Sequence, residues 1–198
     1  MRKSLIYAVA MTGLLNAWTL QAAPEPQDPK KQTPWHLYVD AREAYEMKQA
    51  QGAEVLFVDV RDPIEIMFTG FTDVVDINIP YKLANRSEWN PKKPVYQMTV
   101  NADFEQQVNS ALQARGLSKS APIILMCRSG GTRGAPSAKM LWDKGYEQVY
   151  VVTDGFEGGK VKQGEHKGWR LLNGWKNANL PWSYKLNREK MYFPADGS

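Results

Sequence analysis

The single cysteine of this chain lies in a segment whose residue types suit nucleophilic chemistry. Cys127 follows the apolar run Ile123–Met126 and is followed by Arg128, Ser129, Gly130, Gly131, Thr132 and Arg133. Consecutive glycines let the backbone curl so that several N–H groups point inward and form a nest for an anion. The nest, the start of a following helix and the two arginines would all favour a thiolate. We therefore predict that Cys127 is an accessible, reactive nucleophile.

The absence of a second cysteine from the sequence restricts the chemistry further. Without a resolving thiol, an internal disulfide and a thioredoxin-like mechanism are both excluded. Cys127 is then buried filler, an intermolecular bridge or a reactive thiol, and the two arginines and two glycines beside it favour the reactive thiol. We expect Cys127 itself to carry a transferred group and the anion nest to bind the substrate. The expected substrate-binding residues are Arg128, Ser129, Gly130, Gly131, Thr132 and Arg133. The two histidines, His36 and His166, show no metal-ligand spacing, so we expect no metal and no cofactor.

The elements that must position this loop are strands alternating with amphipathic helices. Continuous apolar runs predict strands at residues 55–58, 74–79, 123–126 and 149–152. Capping patterns predict helices that begin after Asp40 and after Asn101, and a third helix is predicted over residues 133–144. Residues 81–100 show no sustained periodicity and are predicted to be a long connection. The sequence therefore predicts an α/β domain with a mostly parallel central sheet, helices on both faces, and Cys127 at the ligand-binding edge.

The two ends of the chain differ in composition from the middle. Residues 1–22 have a basic start, an apolar stretch and a small residue at the end, which predicts a cleaved signal peptide and a periplasmic or secreted protein. Residues 23–34 are predicted to be a proline-rich linker, residues 35–185 the domain, and residues 186–198 a tail. We expect no membrane span after leader removal. The basic residues near the C-terminus are interpreted as a solvated face, so no nucleic acid is expected as a partner.

Several separated segments combine with the cysteine loop into one ordered pattern. They are Asp59-Val60-Arg61-Asp62-Pro63 with Glu65, Asn78-Ile79-Pro80, Cys127 to Arg133, Asp154-Gly155-Phe156, and Gly174 to Pro181. Their order and spacing over residues 55–182 resemble the rhodanese family of sulfurtransferases. The resemblance is more specific than any one of these motifs alone.

The resemblance implies a rhodanese-like domain in which Cys127 attacks the outer sulfur of a small anionic donor such as thiosulfate. Cys127 would hold that sulfur as a persulfide and pass it to a thiol or protein acceptor, whose identity the sequence does not reveal. Asp59 and Arg61, as positions of the family pattern, would support the loop from beneath. Arg128, next to the nucleophile, adds positive charge that favours an anionic donor.

The loop departs from the family pattern in one respect. Arg133 lies six positions after Cys127, one more than in most rhodanese loops, because 133 minus 127 is 6. This Cys-x5-Arg spacing is typical of protein phosphatases and arsenate reductases. The alternatives to sulfur transfer are therefore phosphatase or arsenate-reductase chemistry, or a non-catalytic module that binds an oxyanion or a partner.

Overall fold

The computed structural model describes residues 22–194. The predicted leader, residues 1–22, lies outside the described residues apart from Ala22. Between residues 22 and 194 no helix is long and apolar enough to cross a membrane.

A five-stranded sheet forms the centre of the described part of the chain, and each of its strand pairs is parallel. Its strands are β1 (Tyr38–Val39), β2 (Leu56–Asp59), β3 (Ile77–Asn78), β6 (Ile123–Met126) and β7 (Val149–Val152). Their spatial order is β1-β7-β6-β2-β3. Strands β2 and β6 are buried along their whole length, as continuous apolar runs in a covered parallel sheet should be. The predicted parallel sheet is confirmed.

Helices cover both faces of the sheet, as predicted. On one face α1 (Ala41–Gln51) and α2 (Pro63–Thr69) bury Ala44, Met47 and Ile66 in one apolar cluster. On the other face α3 (Phe104–Ala114) and α4 (Gly134–Leu141) bury a second cluster. The sheet contributes alternate side chains to the two clusters, because successive residues of a strand point to opposite faces.

The sequence patterns located α1 closely. Asp40 accepts a hydrogen bond from the Glu43 backbone N–H at 2.9 Å, and Glu43 accepts one from the Asp40 N–H at 2.7 Å, so the capping box is present. At Asn101, the other predicted cap, helix α3 begins later, at Phe104. Asn101 accepts a hydrogen bond from the Asp103 N–H at 3.1 Å and so stabilises the turn that precedes α3.

The prediction of a long connection over residues 81–100 is wrong. The segment forms an antiparallel hairpin of β4 (Lys82–Trp89) and β5 (Tyr96–Val100) outside the main sheet. Alternation of apolar and polar residues in Tyr96–Val100, after a turn rich in proline, was the signal for a strand. The hairpin is fixed to the domain at its base, where the Ala84 N–H donates to Asp62 Oδ2 at 2.8 Å.

Both predicted flanking segments pack against the domain. In the proline-rich segment Asp28 caps a short 3-10 turn over Pro29–Lys31, and Thr33 is buried, with its N–H donating to the Tyr38 hydroxyl at 2.7 Å. In the predicted tail the Lys190 ammonium donates to the Val75 carbonyl at 2.9 Å. Polar groups of both segments therefore have hydrogen-bond partners on the domain.

Candidate active site

Cys127 lies directly after β6, at the carboxyl edge of the sheet and just before α4. It is only 2% exposed, so the accessible thiol expected from the sequence is instead covered by its surroundings. Gly134, at the start of α4, permits this close packing, since a Cβ there would lie 3.7 Å from the Cys127 Sγ and 2.8 Å from a Val151 methyl. The sulfur is therefore held against the first turn of a helix, where N–H groups and the helix dipole favour negative charge.

The turn after β7 supports the cysteine loop through the backbone. The Phe156 N–H donates to the Cys127 carbonyl at 2.8 Å, and the Glu157 N–H donates to the Arg128 carbonyl at 2.7 Å. Gly155 lies so close that an added Cβ would be 2.4 Å from the Cys127 carbonyl oxygen. These two backbone bonds fix the direction in which the loop leaves β6.

The two glycines of the loop have different surroundings. Gly130 has a φ of +60°, and a Cβ there would lie 1.5 Å from the Thr153 carbonyl oxygen. The space around Gly131 could hold a Cβ, since the nearest atom, Ser129 Oγ, would lie 3.6 Å from it. Gly130 is therefore required both for its backbone conformation and for close contact with the end of β7.

Asp59 and Arg61 lie beneath this region and are completely buried. The Arg61 Nε donates to Asp59 Oδ1 at 2.9 Å, and its Nη1 donates to Thr69 Oγ1 at 2.8 Å. The guanidinium also lies 4.0 Å over the centre of the Phe156 ring. Arg61 thus connects the end of β2, the end of α2 and the turn that supports the loop.

Each loop arginine forms an ion pair with a glutamate. Arg133 binds Glu65 of α2 with two hydrogen bonds, of which the Nη2 to Oε1 bond is 2.8 Å long, and Arg128 Nε binds Glu157. Burial alone would raise the pKa of Glu65. The hydrogen bond from Arg133 and the positive charges of Arg133, Arg61 and Arg128 have the larger effect, so the pKa of Glu65 is lowered. Burial lowers the pKa of Arg133, but Glu65 together with the Cys127 and Asp59 charges raises it overall. Both groups of the pair therefore stay ionised.

A cavity of about 790 Å³ opens over the loop. Its floor includes Arg128, Ser129, Thr132 and Arg133, whereas Cys127, Gly130 and Gly131 are not among its lining residues. One wall comes from the β4–β5 hairpin and another from Lys160 and Arg170. The structure thus brings the polar side chains of the predicted site together at one opening, whereas the nucleophile and both glycines do not line it.

Sequence reasoning missed three contributors to this site. Glu65 was quoted as part of a motif but was not assigned to the site, and the hairpin wall was assigned to a loop. Lys160 and Arg170 were interpreted as part of a solvated basic face, yet both line the cavity. Among residues 22–194 no group of three or more histidine, cysteine, aspartate or glutamate side chains could hold a metal ion.

Fold and site together define an α/β domain that presents a cysteine loop at the edge of a parallel sheet. The sequence profile of the Rhodanese-like domain matches residues 30–162. The chain therefore belongs to the rhodanese-like domain family, in agreement with the resemblance drawn from its motifs.

Similar proteins extend over much of the domain. The uncharacterized protein RC0915 of Rickettsia conorii is 30% identical over 109 residues, which are 50% of this chain and 77% of that protein. The crystal structure of Rv0390 from M. tuberculosis has a TM-score of 0.51 and 25% identity, covering 75% of this chain and 97% of that one. The polysulfide-sulfur transferase homodimer of Wolinella succinogenes has a TM-score of 0.40 and 19% identity, covering 60% of this chain and 68% of that one.

Proposed function

We propose that the protein is a sulfurtransferase in which Cys127 carries a sulfane sulfur taken from a small anionic donor such as thiosulfate. The observation that carries this proposal is the position of Cys127, which lies between a parallel strand and the start of α4. The residues directly after it, Arg128 and Ser129, line a cavity whose lining includes six cationic side chains and one carboxylate. Membership of the rhodanese-like family supports the same chemistry.

The reaction would proceed in two displacements. In the first, the Cys127 thiolate attacks the outer sulfur of thiosulfate, a bond forms between the two sulfurs, and the sulfur–sulfur bond of thiosulfate breaks so that sulfite leaves with the electron pair. In the second, a nucleophilic acceptor attacks the outer sulfur of the persulfide, and Cys127 leaves as a thiolate. Loop N–H groups and the helix start would stabilise the anionic sulfur in both steps.

The charges around the cavity suit this pair of steps. Arg128 is partly exposed at the cavity floor, and Lys82 lines the same opening. Positive charge at this position would attract the dianionic donor and stabilise the departing sulfite. Arg133 contributes less to the substrate, because its guanidinium is already bound by Glu65 with two hydrogen bonds.

The same geometry disfavours phosphatase chemistry. Such a reaction needs a neutral carboxyl group to protonate the leaving oxygen. Glu65 is the one carboxylate that lines the described cavity, and its ion pair with Arg133 lowers its pKa. Glu157, just outside it, is paired with Arg128. Sulfur transfer requires no such acid, since sulfite leaves as an anion.

The direct test is the formation of thiocyanate from thiosulfate and cyanide by the purified protein. Cys127→Ser should reduce turnover to the uncatalysed rate, because a serine hydroxyl is not an activated nucleophile in a site built for a thiolate. Circular dichroism of the variant should match the wild type and so exclude unfolding as the cause. Undiminished turnover in Cys127→Ser would overturn the mechanism.

A further inference from the structure

The cavity over the cysteine loop has far more positive charge than a small anionic donor requires. Six of its lining residues are cationic and one is acidic. The cationic residues are Lys82, Lys93, Arg128, Arg133, Lys160 and Arg170. Arg133 is paired with Glu65, and Arg128 and Arg170 lie near Glu157. Lys82, Lys93 and Lys160 take part in none of the ion pairs found within residues 22–194.

The cavity also continues along the surface. A second cavity of about 410 Å³ shares Arg128, Lys160 and Arg170 with the first. It is lined in addition by Glu157, Gly168, Trp169 and Leu171. Together they form an open groove, which we call the loop groove, that runs from the β4–β5 hairpin to Trp169. A thiosulfate ion would occupy only a small part of it.

Exposed apolar side chains lie along the loop groove. Val95 and Tyr96 on the hairpin side are 48% and 52% exposed, and Trp169 at the other end is 60% exposed. An inorganic anion gains nothing from such surfaces, whereas a peptide can bury its own apolar groups against them. Tyrosine, tryptophan and arginine are enriched at protein interfaces, and Tyr96, Trp169 and Arg170 all line the loop groove.

We propose that the loop groove binds an acidic, cysteine-containing segment of a partner protein, which accepts the sulfur from Cys127. The inference rests on the proposed sulfurtransferase function and names its acceptor class. Charge complementarity carries it: Lys93 on the hairpin and Lys160 on the facing wall would bind acidic residues on either side of the acceptor cysteine.

Transfer to this acceptor balances without an added oxidant or reductant. The acceptor thiol first loses its proton to solvent, and its thiolate then attacks the outer sulfur of the Cys127 persulfide. A new sulfur–sulfur bond forms on the acceptor while the bond to Cys127 Sγ breaks. The electron pair returns to Cys127, which leaves as a thiolate ready for the next donor.

The test measures sulfur transfer to two synthetic peptides that differ in charge alone. In one peptide glutamates flank a single cysteine, and in the other glutamines replace them. The full-length protein is loaded with thiosulfate, freed of excess donor and mixed with each peptide, and the peptide persulfide is followed by mass spectrometry. The rate of sulfur transfer to each peptide is divided by the rate at which the same peptide reacts with an uncharged disulfide. This ratio corrects for differences in the intrinsic reactivity of the two peptide thiols.

At low ionic strength the glutamate peptide should react about tenfold faster than the glutamine peptide, and the preference should decline with added salt. The double variant Lys93→Gln/Lys160→Gln should lose most of this preference. Lys92→Gln/Lys162→Gln is the matched control, because both lysines are exposed neighbours that do not line the groove. The control should keep the preference.

The possible failures are distinguishable. Equal corrected rates for the two peptides, with normal thiocyanate formation from cyanide, would overturn the acidic-segment inference alone. So would an equally strong lysine dependence for mercaptosuccinate, a small anionic thiol, because it would show that the groove selects small anions. Failure to load Cys127 with sulfur, together with no thiocyanate formation, would overturn the proposed function and this inference with it.

Discussion

Near the nucleophile, both arginines of the loop are paired with glutamates, so an anionic substrate would compete with a protein carboxylate for each of them. Glu65 accepts hydrogen bonds from Nη1 and Nη2 of Arg133, and Glu157 accepts one from the Nε of Arg128. Charge-assisted hydrogen bonds of this kind are stronger than neutral ones. We therefore expect the glutamates to limit the positive charge that the loop offers to an incoming anion such as phosphate.

Replacing Glu65 with glutamine should strengthen the binding of oxyanions. An amide keeps the shape of the side chain but removes the negative charge that competes for Arg133. We expect phosphate and arsenate to inhibit thiosulfate turnover several-fold more strongly in Glu65→Gln. The free energy of unfolding should fall by about 1.5–3 kcal/mol, because a charged hydrogen bond becomes weaker. Inhibition constants and urea unfolding measure the two effects.

Glu105→Gln is the matched control for this comparison. Glu105 also forms an ion pair, with Lys119 at 3.2 Å, but it lies on α3 and does not line the loop groove. Its replacement should leave oxyanion inhibition unchanged. Phosphate inhibition that is equal or weaker in Glu65→Gln than in the wild type would contradict the competition between Glu65 and an anion for Arg133.

At the level of elements, the sequence predicted what local pattern determines. Apolar runs located β2, β6 and β7, and the capping box of Asp40 located α1, because burial and capping leave signals within a few residues. The helix α2 was not predicted, since three of its seven residues, Ile64, Met67 and Phe68, are apolar yet exposed. Its helical periodicity was therefore masked.

Residue types alone predicted the site only where the chain is continuous, and the resemblance to the rhodanese family added the separate positions Asp59 and Arg61. The residues from Cys127 to Arg133 were recognised because they are adjacent in sequence. Glu65 and Lys160 reach the same opening from other segments, and only folding brings them there. The extent of burial of Cys127 likewise depends on Gly134 and on the turn at Gly155, which approach the loop from later in the chain.

The turn after β7 is the element on which the loop geometry depends. Gly155→Ala should reduce both stability and sulfur transfer, because the added Cβ would lie 2.4 Å from the Cys127 carbonyl oxygen and 2.6 Å from the Ser129 nitrogen. A backbone φ of +67° adds strain of about 1–3 kcal/mol for a residue other than glycine. Thiocyanate formation and thermal unfolding are the measurements.

Gly164→Ala separates the effect of backbone strain from the effect of the steric contact with the cysteine loop. Gly164 also has a positive φ, +80°, but nothing lies within 4 Å of an added Cβ. This variant should show the strain without the loss of sulfur transfer. Equal activity in Gly155→Ala and the wild type would mean that the turn does not control the loop.

Across the whole molecule, Asp154 joins parts of the chain that are distant in sequence. Its carboxylate accepts hydrogen bonds from the Ala41 N–H at 3.0 Å, at the start of α1, and from the Gly174 N–H at 2.8 Å, just before the buried Trp175. Burial raises the pKa of Asp154 to about 6, although the two backbone bonds oppose the shift. Asp154, the residue next to the supporting Gly155, therefore titrates near pH 6.

This shift gives stability a defined dependence on pH. Because the pKa of Asp154 is higher in the folded state than in the unfolded state, the folded protein binds more protons between about pH 4 and 6, and this group's contribution to stability falls as pH rises through that window. Relative to Asp154→Asn, the wild type should gain up to about 3 kcal/mol on acidification from pH 7 to 4. Urea unfolding at several pH values tests this, and a constant difference would contradict the shift.

The central claim is that Cys127 carries sulfur, and the mass of the protein tests it most directly. After incubation with thiosulfate and removal of excess donor, the intact protein should gain the mass of one sulfur atom, and peptide mapping should place it on Cys127. Cys127→Ser should gain nothing, and incubation with a phosphate ester should leave the wild type unmodified. A phosphorylated Cys127, or no sulfur on Cys127 after thiosulfate, would contradict the account.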